Sequence, residues 1–274
     1  MRKFIKIASF DIGKVNFAQY VENVDTESIL ELEKRYSLLP KKLQRKTKGM
    51  FPEEIQNIID EMYLSSERVH TGVYDIRENT ESSVFDIQTR KNLIHHLDSH
   101  KNIFEGCDIF VVEQQYFKTW SGGKTRNKRS AGTEANVDAI KIAECLVTWL
   151  LCEYPLKDVI YFGSSNKTQI LGAEWGISKD QRKKWAIKEC RRLYELRKDK
   201  TMVDLFNLED LVYRKKLSNE NKIQSFLKTY DSSNSEDGKL LAEKVVRKRQ
   251  KLDDISDACL QLQAFKFKTM IACF

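Results

Sequence analysis

The chain is predicted to fold as an α/β protein, a mixed five-stranded sheet with helices on both faces. Five short runs have the length and apolar content of strands. In the second half of the chain such runs alternate with stretches of helical spacing, which is the pattern of a sheet covered by helices. A chain of 274 residues can bury core on both sides of such a sheet, and one decorated domain spanning 1–274 accommodates it.

The first strand is the run Phe4 to Phe10, closed by Asp11-Ile12-Gly13-Lys14 as a turn. A second follows at Phe17 to Val21. After the polar turn Asn23 to Thr26, the alternation of Ser28 to Glu33 predicts a third, so that the three form a meander. From 38 to 83 the pattern loosens into a basic stretch, a Gly49-Met50-Phe51-Pro52 break and a short helix near 53–63, and this range is expected to be an insertion. A helix over 84–105 leads to the fourth strand, Ile109 to Val112, ending at Glu113. A helix over 134–152 is expected to pack through Ile140, Ala143, Val147, Leu150 and Leu151. The fifth strand is Val159 to Phe162, and Ser178 caps a helix running through Leu196. The polar range 199–238 is expected to be a second insertion, and a last helix carries Ile255, Cys259 and Leu262 as its apolar stripe.

Composition narrows the function classes. A formal charge of +7 with 32% charged residues favours a polyanionic partner. No apolar stretch approaches the roughly 20 residues of a membrane helix, and Met1-Arg2-Lys3-Phe4 leads into a strand rather than a signal peptide, so a soluble protein outside the secretory route and without membrane contact is expected. Cys107, Cys145, Cys152, Cys190, Cys259 and Cys273 lie among apolar neighbours without a C-x-x-C pair, the usage of buried thiols in a reducing compartment. His96 and His100 share an i, i+4 spacing, but with no nearby cysteine or H-E-x-x-H pattern they are expected on a polar helix surface.

The carboxylates carry the chemistry. Asp11 and Glu113 stand at the ends of predicted strands, where an unpaired charge is costly to bury. On the last helix Asp254 and Asp257 are three residues apart and face the same way, with Asp253 able to take the place of Asp254. Alone, such a cluster is an acidic first turn favoured by the helix dipole. Together, four carboxylates suit two Mg²⁺ ions, hard cations that prefer oxygen ligands, and two such ions roughly 4 Å apart can activate water against a phosphodiester. The loop from Trp120 carries Lys124, Arg126, Lys128 and Arg129, basic groups that can reach phosphates beside an aromatic that can stack on a base.

Asp-Ile-Gly after the first strand, Val-Glu-Gln after the fourth, a lysine after the fifth and Asp-Asp-x-x-Asp-Ala on the last helix, in that order, resemble the RNase H-like Holliday junction resolvases, in particular the poxvirus and mitochondrial branch related to bacterial RuvC. The resemblance spans Lys3 to Met270. It implies an RNase H-like fold, Asp11, Glu113, Asp254 and Asp257 as metal-binding acids for Mg²⁺, with Mn²⁺ able to substitute, and Lys167 beside the scissile phosphate. It further implies a second lysine at Lys184 or Lys183, and an aromatic at the junction centre at Tyr116 or Phe117, where ordinary packing is the competing reading. The implied activity is paired, symmetric cutting of four-way DNA junctions by a homodimer, packed near the helix at 134–152 with Leu146 and Trp149 as candidate contact residues; for a viral member the implied compartment is the cytoplasmic viral factory. Another RNase H-like nuclease, acting on RNA–DNA hybrids or as an exonuclease, and a non-catalytic nucleic-acid-binding protein remain alternatives. An actin-like or sugar-kinase ATPase would need a second Gly-rich phosphate loop, which the chain lacks.

Overall fold

Strand direction organises the computed structural model, which describes residues 3–77, 85–115, 136–163, 166–215 and 252–272. The strands are β1 (Phe4–Asp11), β2 (Phe17–Asp25), β3 (Ser66–Tyr74), β4 (Ile109–Gln114) and β5 (Asp158–Gly163), in the order β3-β2-β1-β4-β5. β2 pairs antiparallel with both β1 and β3, whereas β4 is parallel to β1 and β5 to β4, so β2 alone runs against the rest. The tight turn that makes this reversal uses Gly13, where a Cβ would stand 2.7 Å from the Asn16 carbonyl oxygen.

The third strand is not at 28–33. That run lies inside helix α1 (Thr26–Leu38), capped by Asp25, whose carboxylate accepts from the Glu27 N–H at 3.1 Å. Ile29, Leu32 and Tyr36 form its buried stripe, and this longer periodicity overrides the short alternation. β3 is hard to recognise in the sequence because it is an edge strand with few buried side chains, Val73 among them, and so shows no apolar run. The range read as an insertion, 38–83, therefore carries β3 and also α2 (Glu53–Leu64), whose Ile55, Ile58, Ile59, Met62 and Tyr63 enter the core. Of the second expected insertion, 200–215 form helix α8 (Lys200–Lys215), and 216–238 lie outside the described residues.

Alternation along the strands splits the interior in two. On one face Ile7, Ala18, Tyr20, Val24 and Val111 meet α1, α2, α6 (Asn166–Ile170), α7 (Lys179–Arg197), α8 and α9 (Leu252–Lys266). On the other, Ala8, Phe10, Phe17, Val21, Phe110 and Val112 meet α3 (Ile87–Ser99), α4 (Lys101–Phe104) and α5 (Val137–Glu153). α7 begins with the expected Ser178 cap, completed by a reciprocal bond from Gln181. The phase of α5 differs from expectation. Ala139, Ile142, Ala143, Leu146, Trp149 and Leu150 are buried, Leu151 is exposed, and Leu146 and Trp149 are thus core residues rather than dimer contacts.

A fully buried carboxylate, Glu22 on β2, ties the first face together. It accepts from Lys266 Nζ at 2.8 Å, Arg197 Nη2 at 2.7 Å, Gln263 Nε2 at 3.1 Å and the Tyr20 hydroxyl at 2.6 Å. Burial would raise its pKa, but Lys266 and Arg197 outweigh that and lower it to about 2. Elsewhere, His96 and His100 do not lie on a purely polar surface: their rings are 4.2 Å apart and pack with Tyr74 of β3. Of the described cysteines, Cys107, Cys190 and Cys259 are buried, but Cys152 is exposed and Cys145 only half-buried, packed at the margin of the second cluster. Among the described residues no helix is long and apolar enough to cross a membrane.

Candidate active site

Register brings the first two carboxylates together. Phe10 pairs with Val112, so the next residues, Asp11 and Glu113, stand side by side at the ends of adjacent parallel strands, on the face shared with Ser9 and Val111. α9 crosses above them. Its residue Gln261 donates through Nε2 to Ser9 Oγ (3.1 Å), the Phe10 carbonyl (3.1 Å) and the Val111 carbonyl (3.3 Å), fixing the helix against β1 and β4. Asp254 and Asp257, seven and four residues earlier, share that helix face and so lie toward the two strand ends.

Lys167 on α6 stands among these groups. Its ammonium is 2.9 Å from Asp11 Oδ1, 3.3 Å from Asp257 Oδ2 and 3.4 Å from Glu113 Oε1. Burial alone would depress its pKa, but the three carboxylates hold it well above the usual lysine range. One cation does not balance four acids. Burial and the neighbouring Asp11 push Glu113 up to about 7 against Lys167. Burial raises Asp257 to about 6, and burial together with Asp253, Asp11 and Asp257 raises Asp254 to about 8. Asp254 Oδ2 is buried with no hydrogen-bond partner, while Asp253 is paired with Lys183 Nζ at 2.5 Å. The unsatisfied acid of that pair is therefore Asp254.

Whether a divalent ion suits these residues follows from their chemistry. The donors are hard oxygens, their charge exceeds that of the single ammonium among them, and one buried oxygen lacks a partner, all of which fit a hard cation. Among the described residues, however, no three His, Cys, Asp or Glu side chains already converge as a ligand set, since Lys167 occupies the space between the acids.

Beside Asp11 and Asp254 opens a cavity of about 360 Å³, lined also by Gly13, Lys14, Asn16, Asn136 and Asp138. Lys14 Nζ pairs with Asp138 Oδ2 at 2.8 Å, and Asn136 caps α5 by accepting from the Ala139 N–H. Sequence reasoning missed Lys14, Asn16, Asn136, Asp138 and the anchoring role of Gln261. Gly13-Lys14 directly after a strand-end aspartate was the signal for the first; the others are recognisable only once α5 and α9 are placed. Lys183 faces the acidic cluster through Asp253, whereas Lys184, next to it, is exposed. Tyr116, Phe117, Lys124, Arg126, Lys128 and Arg129 lie outside the described residues.

The strand order with β2 reversed, and acids contributed by β1, β4 and a C-terminal helix crossing them, define an α/β protein of the RNase H-like fold. No family model matches the chain. Two relatives in sequence are viral: the chain is 27% identical over 266 residues to uncharacterized protein 170L of Invertebrate iridescent virus 6, covering 96% of this chain and 89% of that one. It is 26% identical over 193 residues to uncharacterized protein 97L of Invertebrate iridescent virus 3, covering 66% and 82% respectively. Among solved structures, the fowlpox virus Holliday junction resolvase aligns at TM-score 0.37 and 12% identity over 95% of this chain and 96% of that one. Thermus thermophilus RuvC aligns at TM-score 0.35 and 13% identity over 69% and 80%.

Proposed function

We propose that the protein is a metal-dependent endonuclease that cuts four-way DNA junctions, its site built from Asp11, Glu113, Asp254, Asp257 and Lys167. The observation that carries the reading is the surplus of buried negative charge beside a cavity large enough for a phosphodiester, with one buried Asp254 oxygen unsatisfied. Asp11, Glu113, Asp254 and Asp257 would hold Mg²⁺, two ions in the full site with Mn²⁺ as substitute, supplying a water acidic enough to attack phosphorus and neutralising charge on the phosphate. The remaining work falls to the chain. Lys167 is a fixed positive charge that can offset charge developing on the phosphoryl oxygens once it gives up its carboxylate contacts. The cavity wall is itself acidic, since Asp11, Asp138 and Asp254 line it with Lys14, which is paired with Asp138, so a phosphate there would depend on the bound cations to offset that charge. Asp253, held by Lys183, positions the first turn of α9.

Four-way specificity rests on the ordered motifs. Paired cuts need two sites related by a two-fold axis, so a homodimer belongs to this reading. On the outer side of α5, Val137 (47% exposed) and Leu151 (51% exposed) are the exposed apolar residues, and they mark the surface we assign to that contact. The deciding experiment is cleavage of an immobile four-way junction, an RNA–DNA hybrid and a linear duplex, each with Mg²⁺ and with EDTA. Magnesium-dependent paired nicks in the junction alone support the proposal; preference for the hybrid or for ends selects another RNase H-like nuclease, and DNA binding without turnover selects a non-catalytic protein.

A further inference from the structure

The basic stretch at 41–48 has no part in the carboxylate site, yet it is docked onto the element that carries Lys167. Lys41, Lys42, Arg45, Lys46 and Lys48 fall within eight residues that include no acid. Thr47 and Met50 exchange both backbone hydrogen bonds, at 2.9 and 3.0 Å, around Lys48 and Gly49, whose φ angles of 54° and 95° make a tight turn of the kind in which both central residues are left-handed. Glycine at 49 is required: a Cβ there would stand 2.5 Å from the Ala173 carbonyl oxygen. A lysine at the other left-handed position is the unusual choice, because glycine or asparagine would adopt it with less strain.

The turn is held firmly. Gln44 Nε2 donates to the Tyr36 and Leu39 carbonyls at 3.0 Å each, the Phe51 ring packs on Phe267, and Lys46 donates to the Gln169 carbonyl, two residues from Lys167. The Trp175 N–H donates to the Lys48 carbonyl at 3.1 Å, which places the tryptophan next to the turn with its side chain 61% exposed. Among the described residues, Lys41, Lys42, Arg45 and Lys48 are exposed and join no ion pair, although Glu174 is the neighbour of Trp175. Exposed cations on a rigid turn, beside an exposed indole, match a nucleic-acid strand: the cations suit phosphates and the indole suits the face of an unpaired base.

We propose that Lys41, Lys42, Arg45, Lys48 and Trp175 form a second DNA-contact surface, gripping the strand that leaves the carboxylate site and stacking on an unpaired base within it. This rests on the nuclease reading. The test uses the full chain in EDTA, titrated with a fluorescent four-way junction, a blunt duplex and a duplex with a single-stranded tail at several salt concentrations. Replacing the four cations together (Lys41→Ala, Lys42→Ala, Arg45→Ala, Lys48→Ala) should flatten the slope of log Kd against log salt by about 0.9 for each phosphate no longer neutralised. Trp175→Ala should weaken binding of the tailed duplex roughly tenfold, with Trp175→Phe retaining most of the affinity and blunt duplex little affected. If the wild type binds and cuts DNA while the four-cation variant keeps its salt slope and Trp175→Ala its affinity, this surface is overturned and the nuclease reading stands. A wild type that neither binds nor cuts DNA overturns both.

Discussion

At the residue scale the decisive feature is the imbalance between the buried acids and the single Lys167 ammonium. Asp11→Asn, Glu113→Gln and Asp257→Asn should each abolish Mg²⁺-dependent cleavage while leaving junction binding nearly intact, because each removes a charge the cation needs but little phosphate-contacting surface. Thermal melting with and without Mg²⁺ gives a readout independent of turnover: the ion should raise the wild-type Tm and should not raise that of Asp11→Asn. Asp254→Asn should be as damaging to cleavage as Asp257→Asn, whereas Asp253→Asn should be milder, since Asp253 already has Lys183 as partner. Lys167→Ala should lower the rate by ~10²–10³ with a smaller effect on affinity, the usual cost of removing one electrostatic donor. The pH dependence has a definite sign. Glu113, Asp257 and Asp254 titrate near 7, 6 and 8 in the fold, above the ordinary carboxylate range near 4. Between those limits the folded chain binds more protons than the unfolded one. Their contribution is therefore fully present below about pH 4 and lost as pH rises through 6 to 8. Without divalent ions, Tm should fall from pH 5.5 to pH 8; a metal-free Tm that rises over that interval would contradict the burial of these acids.

At the scale of elements, α9 is placed by two polar anchors, Gln261 over β1 and β4 and the Glu22 cluster over β2. Glu22→Ala leaves Lys266 and Arg197 buried without their anion, a change that typically costs about 3–5 kcal/mol. Pairing it with Lys266→Met should cost less than the two single changes added, and a double-mutant cycle in urea checks this. Sequence made the acids of α9 legible, since three-residue spacing and two strand-end partners point to one another. Its anchors were not legible, because a glutamine, a glutamate and a lysine in apolar surroundings reveal their partnership only through contacts more than 240 residues apart in the chain. β3 is illegible for the opposite reason: this edge strand buries only Ser66, Gly72 and Val73 and so leaves little periodic apolar signal, while the alternation at 28–33 was too short to outweigh the helical periodicity over the 13 residues of α1. For α5 the residues were apolar on too many sides for spacing to fix the phase. Leu146→Ala and Trp149→Ala should accordingly each destabilise the monomer by ~2–5 kcal/mol, as core truncations do, and urea denaturation measures it.

At the scale of the whole molecule, light scattering of the full chain at micromolar concentration should give a dimer, and Leu151→Glu with Val137→Glu should shift it to monomer without unfolding it. A wild type that stays monomeric while making coupled nicks in both strands would remove the symmetric-dimer reading. Among the described residues the sheet also divides the interior into two apolar clusters, one beneath the acids and one behind α3 and α5. Mutations inherited together feel that division. A damaging change in one cluster is best compensated from within the same cluster, where side chains share neighbours, whereas changes on opposite sides of the sheet should combine nearly additively. Apart from the N-terminal end of α5, which lines the cavity, the apolar packing behind α3 and α5 can thus be revised with little effect on the geometry of the acids, so the two cores of one sheet are free to evolve at different rates.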